Sequence, residues 1–229
     1  MKLINISHIF FDLDHTLWDF DKNSKLTFEK IFNINGIDVN IKEFLNIYVP
    51  LNLEYWKLFR EEKIDKASLR FRRLDDAFKQ LNYKISTRMI YKLSDDYIKH
   101  LTTYNHLFDG TMDILNYLEP NYQLHIITNG FKEVQHGKLN QSNIENYFKT
   151  VTNSEMVGVK KPNPRIFHHA LEMARAKPEN SLMIGDNYEA DILGALNVGI
   201  DAICYNYHNE SIENSIKQIS ELHQLKNYL

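Results

Sequence analysis

From about Tyr104 onward the chain alternates short apolar runs with longer amphipathic ones, and this rhythm limits its fold more than any other feature. Thr111 to Leu118 reads as a helix, Tyr122 to Thr128 (YQLHIIT) as a strand, Lys132 to Gln141 as a helix and Lys149 to Thr152 as a short strand. Arg165 to Ala174 reads as a helix, Ser181 to Gly185 as a strand, Glu189 to Asn197 as a helix and Ile200 to Tyr205 as a strand. Strands alternating with helices imply parallel β-α-β units with helices on both sheet faces. One further run, Ile4 to Leu13, has the β-branched and aromatic make-up of a buried strand. It stands far from the others. From about Asn23 to about His100 apolar residues recur at helical spacing, as in Leu69, Leu74, Phe78 and Leu81, and no glycine lies between Gly36 and Gly110. Four or so helices are expected there, with Pro50 beginning or kinking one. The expected architecture is α/β: a three-layer α/β/α parallel-sheet core from residues 1–17 and 104–229, with a helical cap domain, 18–103, inserted after the first strand.

Composition sets the broad class. The chain has 229 residues, 43% hydrophobic and 25% charged, enough apolar material for a sizeable core. Its 27 basic and 30 acidic residues leave a net charge of −3, which argues against a broad surface for nucleic-acid polymers or membranes. A single cysteine, Cys204, excludes an intramolecular disulfide and fits a reducing compartment. The N-terminal residues lack a signal-peptide layout, and no run approaches the roughly 18 apolar residues of a membrane span. The chain therefore reads as soluble and cytoplasmic.

Four polar constellations fall at strand ends or on loops before helices. The first is Asp12-Leu-Asp14-His-Thr16. Alone it suits a solvated Asp-rich turn, but side chains two apart on a strand point the same way and could share a cation. The second is Thr128-Asn129-Gly130, a hairpin signal by composition. The polar, non-alternating FKEVQHGKLNQS after it argues against a hairpin, and a hydroxyl with nearby backbone N–H groups could hold an anion. The third is Lys160-Lys161-Pro162-Asn163-Pro164, either an exposed basic turn or a lysine on a stiffened loop reaching an anionic centre. The fourth is Gly185-Asp186-Asn187-Tyr188-Glu189-Ala190-Asp191. Asp186 could cap the next helix. A calcium loop is not expected, because the glycine such a loop needs at its sixth position is missing from the residues after Asp186.

Taken together and in order, DLDHT, TNG, KKP and GDNYEAD resemble the four motifs of the haloacid dehalogenase (HAD) superfamily, whose core is Rossmann-like, and the helical insertion resembles the C1-type cap of its subfamily I. The resemblance implies a phosphohydrolase in which Asp12 is the nucleophile that forms an aspartyl-phosphate. Asp14 is the implied general acid and then base. Mg²⁺ would be held by the Asp12 carboxylate, the Asp14 main-chain carbonyl and the Asp186 carboxylate. Asp191 would stand behind these, orienting Lys161 or a metal-bound water. Lys161 would neutralise the phosphoryl oxygens and Asp12, and Thr128 and Asn129 would bind those oxygens in the transition state. An acid at position 14 also argues against dehalogenation, because departing halide needs no proton.

The runs FFDLDHTLWDFDKNS, TNGFKEVQHGKL and SEMVGVKKPNPRIF resemble the pyrimidine 5'-nucleotidase branch, often called YjjG-like. That implies a small-molecule phosphate ester as substrate, a nucleoside monophosphate above all, and a monomer or homodimer. The alternatives are a sugar-phosphate or phosphoglycolate-type phosphatase, then a phosphomutase, and last a binding scaffold without activity. Within the cap, at least two of Arg70, Arg72 and Arg73 are expected on a solvated helix face. Trp18 and Phe20 are expected to pack, and Cys204 to be a small buried residue.

Overall fold

A computed structural model describes residues 2–229. It divides into two compact units: the chain through Phe20 together with Asn105–Leu229, and Asp21–Tyr104.

The first unit is built on a six-stranded, wholly parallel sheet. Its strands are β1 (His8–Phe11), β2 (Gln123–Thr128), β3 (Phe148–Asn153), β4 (Ser181–Gly185), β5 (Asp201–Tyr205) and β6 (Lys217–Ile219), in the order β3-β2-β1-β4-β5-β6. The chain builds outward from β1 in one direction and then in the other. The carboxyl end of β1 is thus the topological switch point, where open parallel sheets bind ligands. Phe11 pairs with Ile126 on one side and Ile184 on the other, which brings the ends of β1, β2 and β4 level. Asp12 N then donates to Ile184 O at 2.9 Å and carries the pairing one residue further.

Two strands differ from expectation. β1 is shorter than Ile4–Leu13 because Asn5 adopts a left-handed conformation (φ 68°) and breaks the extended chain. β6 has three residues, too few to show a period of two in the sequence. The helices of this unit are α5 (Thr111–Leu118), α6 (Lys132–Gln141), α7 (Ser154–Val157) and α8 (Pro164–Ala174). Pro164 opens α8, where its missing N–H costs nothing, and Asn163 Oδ1 accepts from Arg165 N. Where a regular helix over Glu189–Asn197 is expected, a π-helical segment (Tyr188–Leu193) runs into the short α9 (Gly194–Leu196). On one sheet face Phe10, Ile127 and Met183 pack with Ile166, Phe167 and Ala195.

The second unit is all helix: α1 (Phe20–Asn35, whose first residue belongs to the sheet unit), α2 (Ile41–Arg60), α3 (Lys66–Gln80) and α4 (Thr87–His100). Asn40, Asp65 and Ser86 cap α2, α3 and α4 by accepting from first-turn N–H groups. Its core is aromatic. Phe28 packs on Tyr48 and Tyr97 at 4.6 and 4.7 Å between ring centroids, and Phe32, Phe44 and Phe78 complete the cluster. Pro50 lies mid-way along α2 rather than at its start. Of the three arginines, Arg72 is exposed and Arg70 pairs with Asp95 at 2.6 Å. Arg73 instead is 2% exposed, with Nη1 donating to Asn52 Oδ1 at 2.8 Å and the guanidinium 5.1 Å from the Tyr97 ring. No helix among the described residues is long and apolar enough to cross a membrane.

Candidate active site

The loop after β1 is wound tightly. Leu13 O accepts from Thr16, Leu17 and Trp18 N–H groups, and His15 sits at φ 61°. That left-handed conformation disfavours most side chains. His15 is fixed there by a hydrogen bond between Nδ1 and Tyr207 OH at 2.9 Å and by its packing on Phe20. Asp12 and Asp14 leave this loop with different partners, so their like charges are not left facing each other uncompensated.

Lys161 serves Asp12. It is 2% exposed, and its Nζ donates to Asp12 Oδ1 at 2.7 Å and to Ile127 O at 2.7 Å. The same ammonium pairs with Asp191 Oδ1 at 2.6 Å. Burial by itself would lower the lysine's pKa, but the Asp12 and Asp191 charges outweigh it and hold the ammonium above its ordinary range. The main chain at Lys161 is held as well, since its N donates to Asn129 Oδ1 at 2.8 Å and its O accepts from Asn129 Nδ2 at 3.0 Å. Asn129 thereby joins the loop after β2 to the loop before α8. Thr128 Oγ1 accepts from Gly130 N at 3.0 Å, which leaves the hydroxyl proton to donate elsewhere.

Asp186, at the end of β4, lies beside them and accepts from Thr16 Oγ1 at 3.2 Å. Asp191 folds back from the π-helical segment to accept from Asn187 N at 3.0 Å. A side chain at Gly185 would collide with the Asp191 carboxylate, so the glycine of GDNYEAD is a packing requirement. One carboxylate oxygen from each of Asp12, Asp186 and Asp191 falls within a 4.8 Å cluster. Desolvation, and then the neighbouring acids, push Asp12 up to about 8 against the pull of Lys161, and Asp186 likewise up to about 8. Three acids are therefore clustered where one ammonium pairs with two of them, Asp12 and Asp191. This set fits a hard divalent cation, which takes oxygen ligands and removes the repulsion. Cys204 is buried nearby, its Sγ 3.7 Å from Asp186 O, and burial followed by these acids pushes its thiol up to about 12. It is a packed residue and not a nucleophile.

Asp14 has a separate cation that the motifs do not contain. Lys138, on α6, is 1% exposed, and its Nζ lies 2.6 and 2.7 Å from the two Asp14 carboxylate oxygens. The ammonium also lies 4.5 Å from the Trp18 ring and 5.5 Å from the Phe20 ring. Trp18 is wholly buried in this role. Gln135 Nε2 reaches Asp14 Oδ2 at 3.4 Å, and Gln135 Oε1 is buried without a partner. Gly130 makes this possible, because a side chain there would occupy the place of the Gln135 amide and crowd Asp14 Oδ2. The readable signal was Gln135 and Lys138 three residues apart, on one face of a helix that follows TNG.

Residues 9–205 match the model of the haloacid dehalogenase-like hydrolases. The chain is similar to the pyrimidine 5'-nucleotidase YjjG of Escherichia coli K12, 32% identical over 96% of each chain. It is also similar to the glyceraldehyde 3-phosphate phosphatase of Methanothermobacter thermautotrophicus, 30% identical over 96% of this chain and 98% of the other. Among solved structures, the putative HAD-hydrolase YfnB of Bacillus subtilis, solved bound to magnesium, superposes with a TM-score of 0.88 at 26% identity, covering 97% of this chain and 98% of its own.

Proposed function

This chain belongs to the haloacid dehalogenase-like hydrolase family, and from that premise we propose that it is a phosphomonoesterase acting on nucleoside 5'-monophosphates, pyrimidines first. The observation that carries the reading is the division of the two acids of the β1 loop between two buried lysines, Asp12 with Lys161 and Asp14 with Lys138.

Asp12 is the nucleophile. One of its oxygens bonds to phosphorus as the bond from phosphorus to the leaving oxygen breaks, giving an aspartyl-phosphate. Asp14 gives its proton to that leaving oxygen. It then takes a proton from the water that attacks phosphorus, and the bond to Asp12 breaks to release phosphate. Lys161 pulls Asp12 towards its ionised form and opposes the charge on the phosphoryl oxygens, with Asp191 also pairing with the ammonium. The Thr128 hydroxyl and the main-chain N–H groups of its loop donate to those oxygens. The Asn129 side chain positions the Lys161 main chain, and the second hydrogen on its Nδ2 is available to a phosphoryl oxygen. Asp12, the Asp14 main-chain carbonyl and Asp186 would hold Mg²⁺. When bound, it supplies positive charge against the phosphoryl group.

The nucleotidase reading draws on the similarity to YjjG over nearly the whole chain. The second reading, a sugar-phosphate phosphatase, draws on the glyceraldehyde 3-phosphate phosphatase of comparable identity and coverage. Phosphate release with Mg²⁺ should be measured for UMP, dUMP, dTMP, purine nucleotides and small sugar phosphates including glyceraldehyde 3-phosphate. Higher kcat/KM on pyrimidine nucleotides supports the first reading. A clear preference for sugar phosphates overturns it in favour of the second.

A further inference from the structure

Lys138 lies outside every motif, yet it is among the most deeply enclosed charges of the sheet unit. A buried ammonium is costly unless it is closely paired. Here the ammonium has both oxygens of Asp14 in front and the Trp18 and Phe20 rings beside it. Among the described residues no hydrogen bond or ion pair joins the Lys138 ammonium to Asp12, Thr128, Asp186 or Asp191. Two lysines could have been shared by one pool of acids. Instead the fold keeps two separate pairs, one at the nucleophile and one at the acid/base.

The surroundings are arranged around that contact. α6 turns a polar face inward, with Gln135 and Lys138 both buried and both directed at Asp14. Trp18, four residues after Asp14, returns as a wall for the ammonium and is itself held by a main-chain hydrogen bond to Leu13 O at 2.9 Å. A carboxylate at a loop position turns freely about two side-chain bonds. One that is gripped at both oxygens, with an amide against the second, has one orientation. We propose that Lys138 is a positioning residue that orients Asp14 for proton transfer to the leaving group, keeping hold of one carboxyl oxygen while the other carries the proton in the reacting complex and regains it from the attacking water, with Gln135 as its assistant. The inference rests on the phosphomonoesterase reading of the site and adds a residue to it.

The leaving group separates this role from simple structural support. An alkyl phosphate such as UMP expels an alkoxide, which needs a proton as the bond breaks. p-Nitrophenyl phosphate expels a stable phenolate, which does not. The quantity to measure is kcat/KM, which covers the steps through departure of the leaving group, for wild type, Lys138→Met, Asp14→Asn and the double variant, on both esters with Mg²⁺. General acid–base catalysis is worth roughly 10²–10⁴-fold, so a misoriented Asp14 should cost Lys138→Met at least about 10-fold more on UMP than on p-nitrophenyl phosphate. In the Asp14→Asn background, Lys138→Met should cause little further loss on UMP, because both changes remove one function. Equal losses on the two esters, or losses that multiply in the double variant, overturn the proposal. A wild type that cleaves neither ester refutes the nucleotidase reading itself, a different outcome, and the four proteins are then compared on the sugar phosphate that wild type does cleave. Gln135→Leu, which removes no charge, gives a second variant should Lys138→Met fail to fold. It should show the same leaving-group bias to a smaller degree, and an unbiased loss overturns the proposal.

Discussion

Lys161 Nζ donates to Asp12 Oδ1 at 2.7 Å, across 149 residues of sequence, and touches Asp191 at 2.6 Å with the same ammonium. One cation thus ties the loop after β1, the loop before α8 and the π-helical segment after β4. Removing it leaves two buried carboxylates without compensation. Breaking a buried ion pair from one side costs about 3–5 kcal/mol. Lys161→Met should therefore lose stability in that range in urea unfolding without added metal, and should also lose phosphatase activity.

The acid cluster makes stability depend on pH. Asp12 and Asp186 are pushed up to about 8, whereas unfolded aspartate titrates near 4. Between these values the folded protein holds protons that the unfolded chain has released, so these groups favour folding less and less as pH rises from about 4 through about 8. Lys161, held above its ordinary range, stays charged throughout and adds no slope there. In EDTA the Tm should fall between pH 6 and pH 8. Mg²⁺ competes with those protons, so its gain in Tm should be larger at pH 8 than at pH 6. Asp12→Asn should flatten the slope in EDTA. Differential scanning fluorimetry over this range reads all three effects.

Gly185 and Gly130 each make room for a working side chain rather than for a turn. Gly185→Ala should press on the Asp191 carboxylate, cost about 1–3 kcal/mol as overpacking does, and weaken Mg²⁺ in a calorimetric titration. Gly130→Ala should displace the Gln135 amide and lower kcat more than it raises KM. If either substitution is silent in both stability and function, the close packing described here is not required.

Cys204 should be inert. Its thiol is buried and pushed up to about 12, so a thiol-alkylating reagent at pH 7.5 should leave activity unchanged and label the protein only after denaturation. Rapid labelling of the folded protein would contradict the packing described at Asp186.

Much of this was legible in the sequence because it depends on local order. The strand and helix rhythm after Tyr104 gave β2, β4, α5 and α6 at nearly their observed bounds, and Asp12, Lys161 and Asp186 each stand at a strand end or on a stiffened loop. What escaped depends on contacts between distant residues. Lys138 lies 124 positions from Asp14, on a helix whose polar residues look like a solvated face until its packing is seen. Which of Arg70, Arg72 and Arg73 turns inward was hidden in the same way: it is Arg73, which bonds Asn52. A motif gives residue types and not hydrogen-bond partners, so the bonds that the Asn129 amide makes to the Lys161 main chain, through both Oδ1 and Nδ2, were not legible either.

The nucleophile is the point on which the chemistry turns. Asp12→Asn keeps the size of the side chain and removes its negative charge and most of its nucleophilicity. Wild type and variant should be compared on p-nitrophenyl phosphate with saturating Mg²⁺, with circular dichroism confirming that both are folded. The expected result is a folded Asp12→Asn protein with no turnover above background. Hydrolysis by that variant at the wild-type rate would contradict the assignment of Asp12 as the nucleophile.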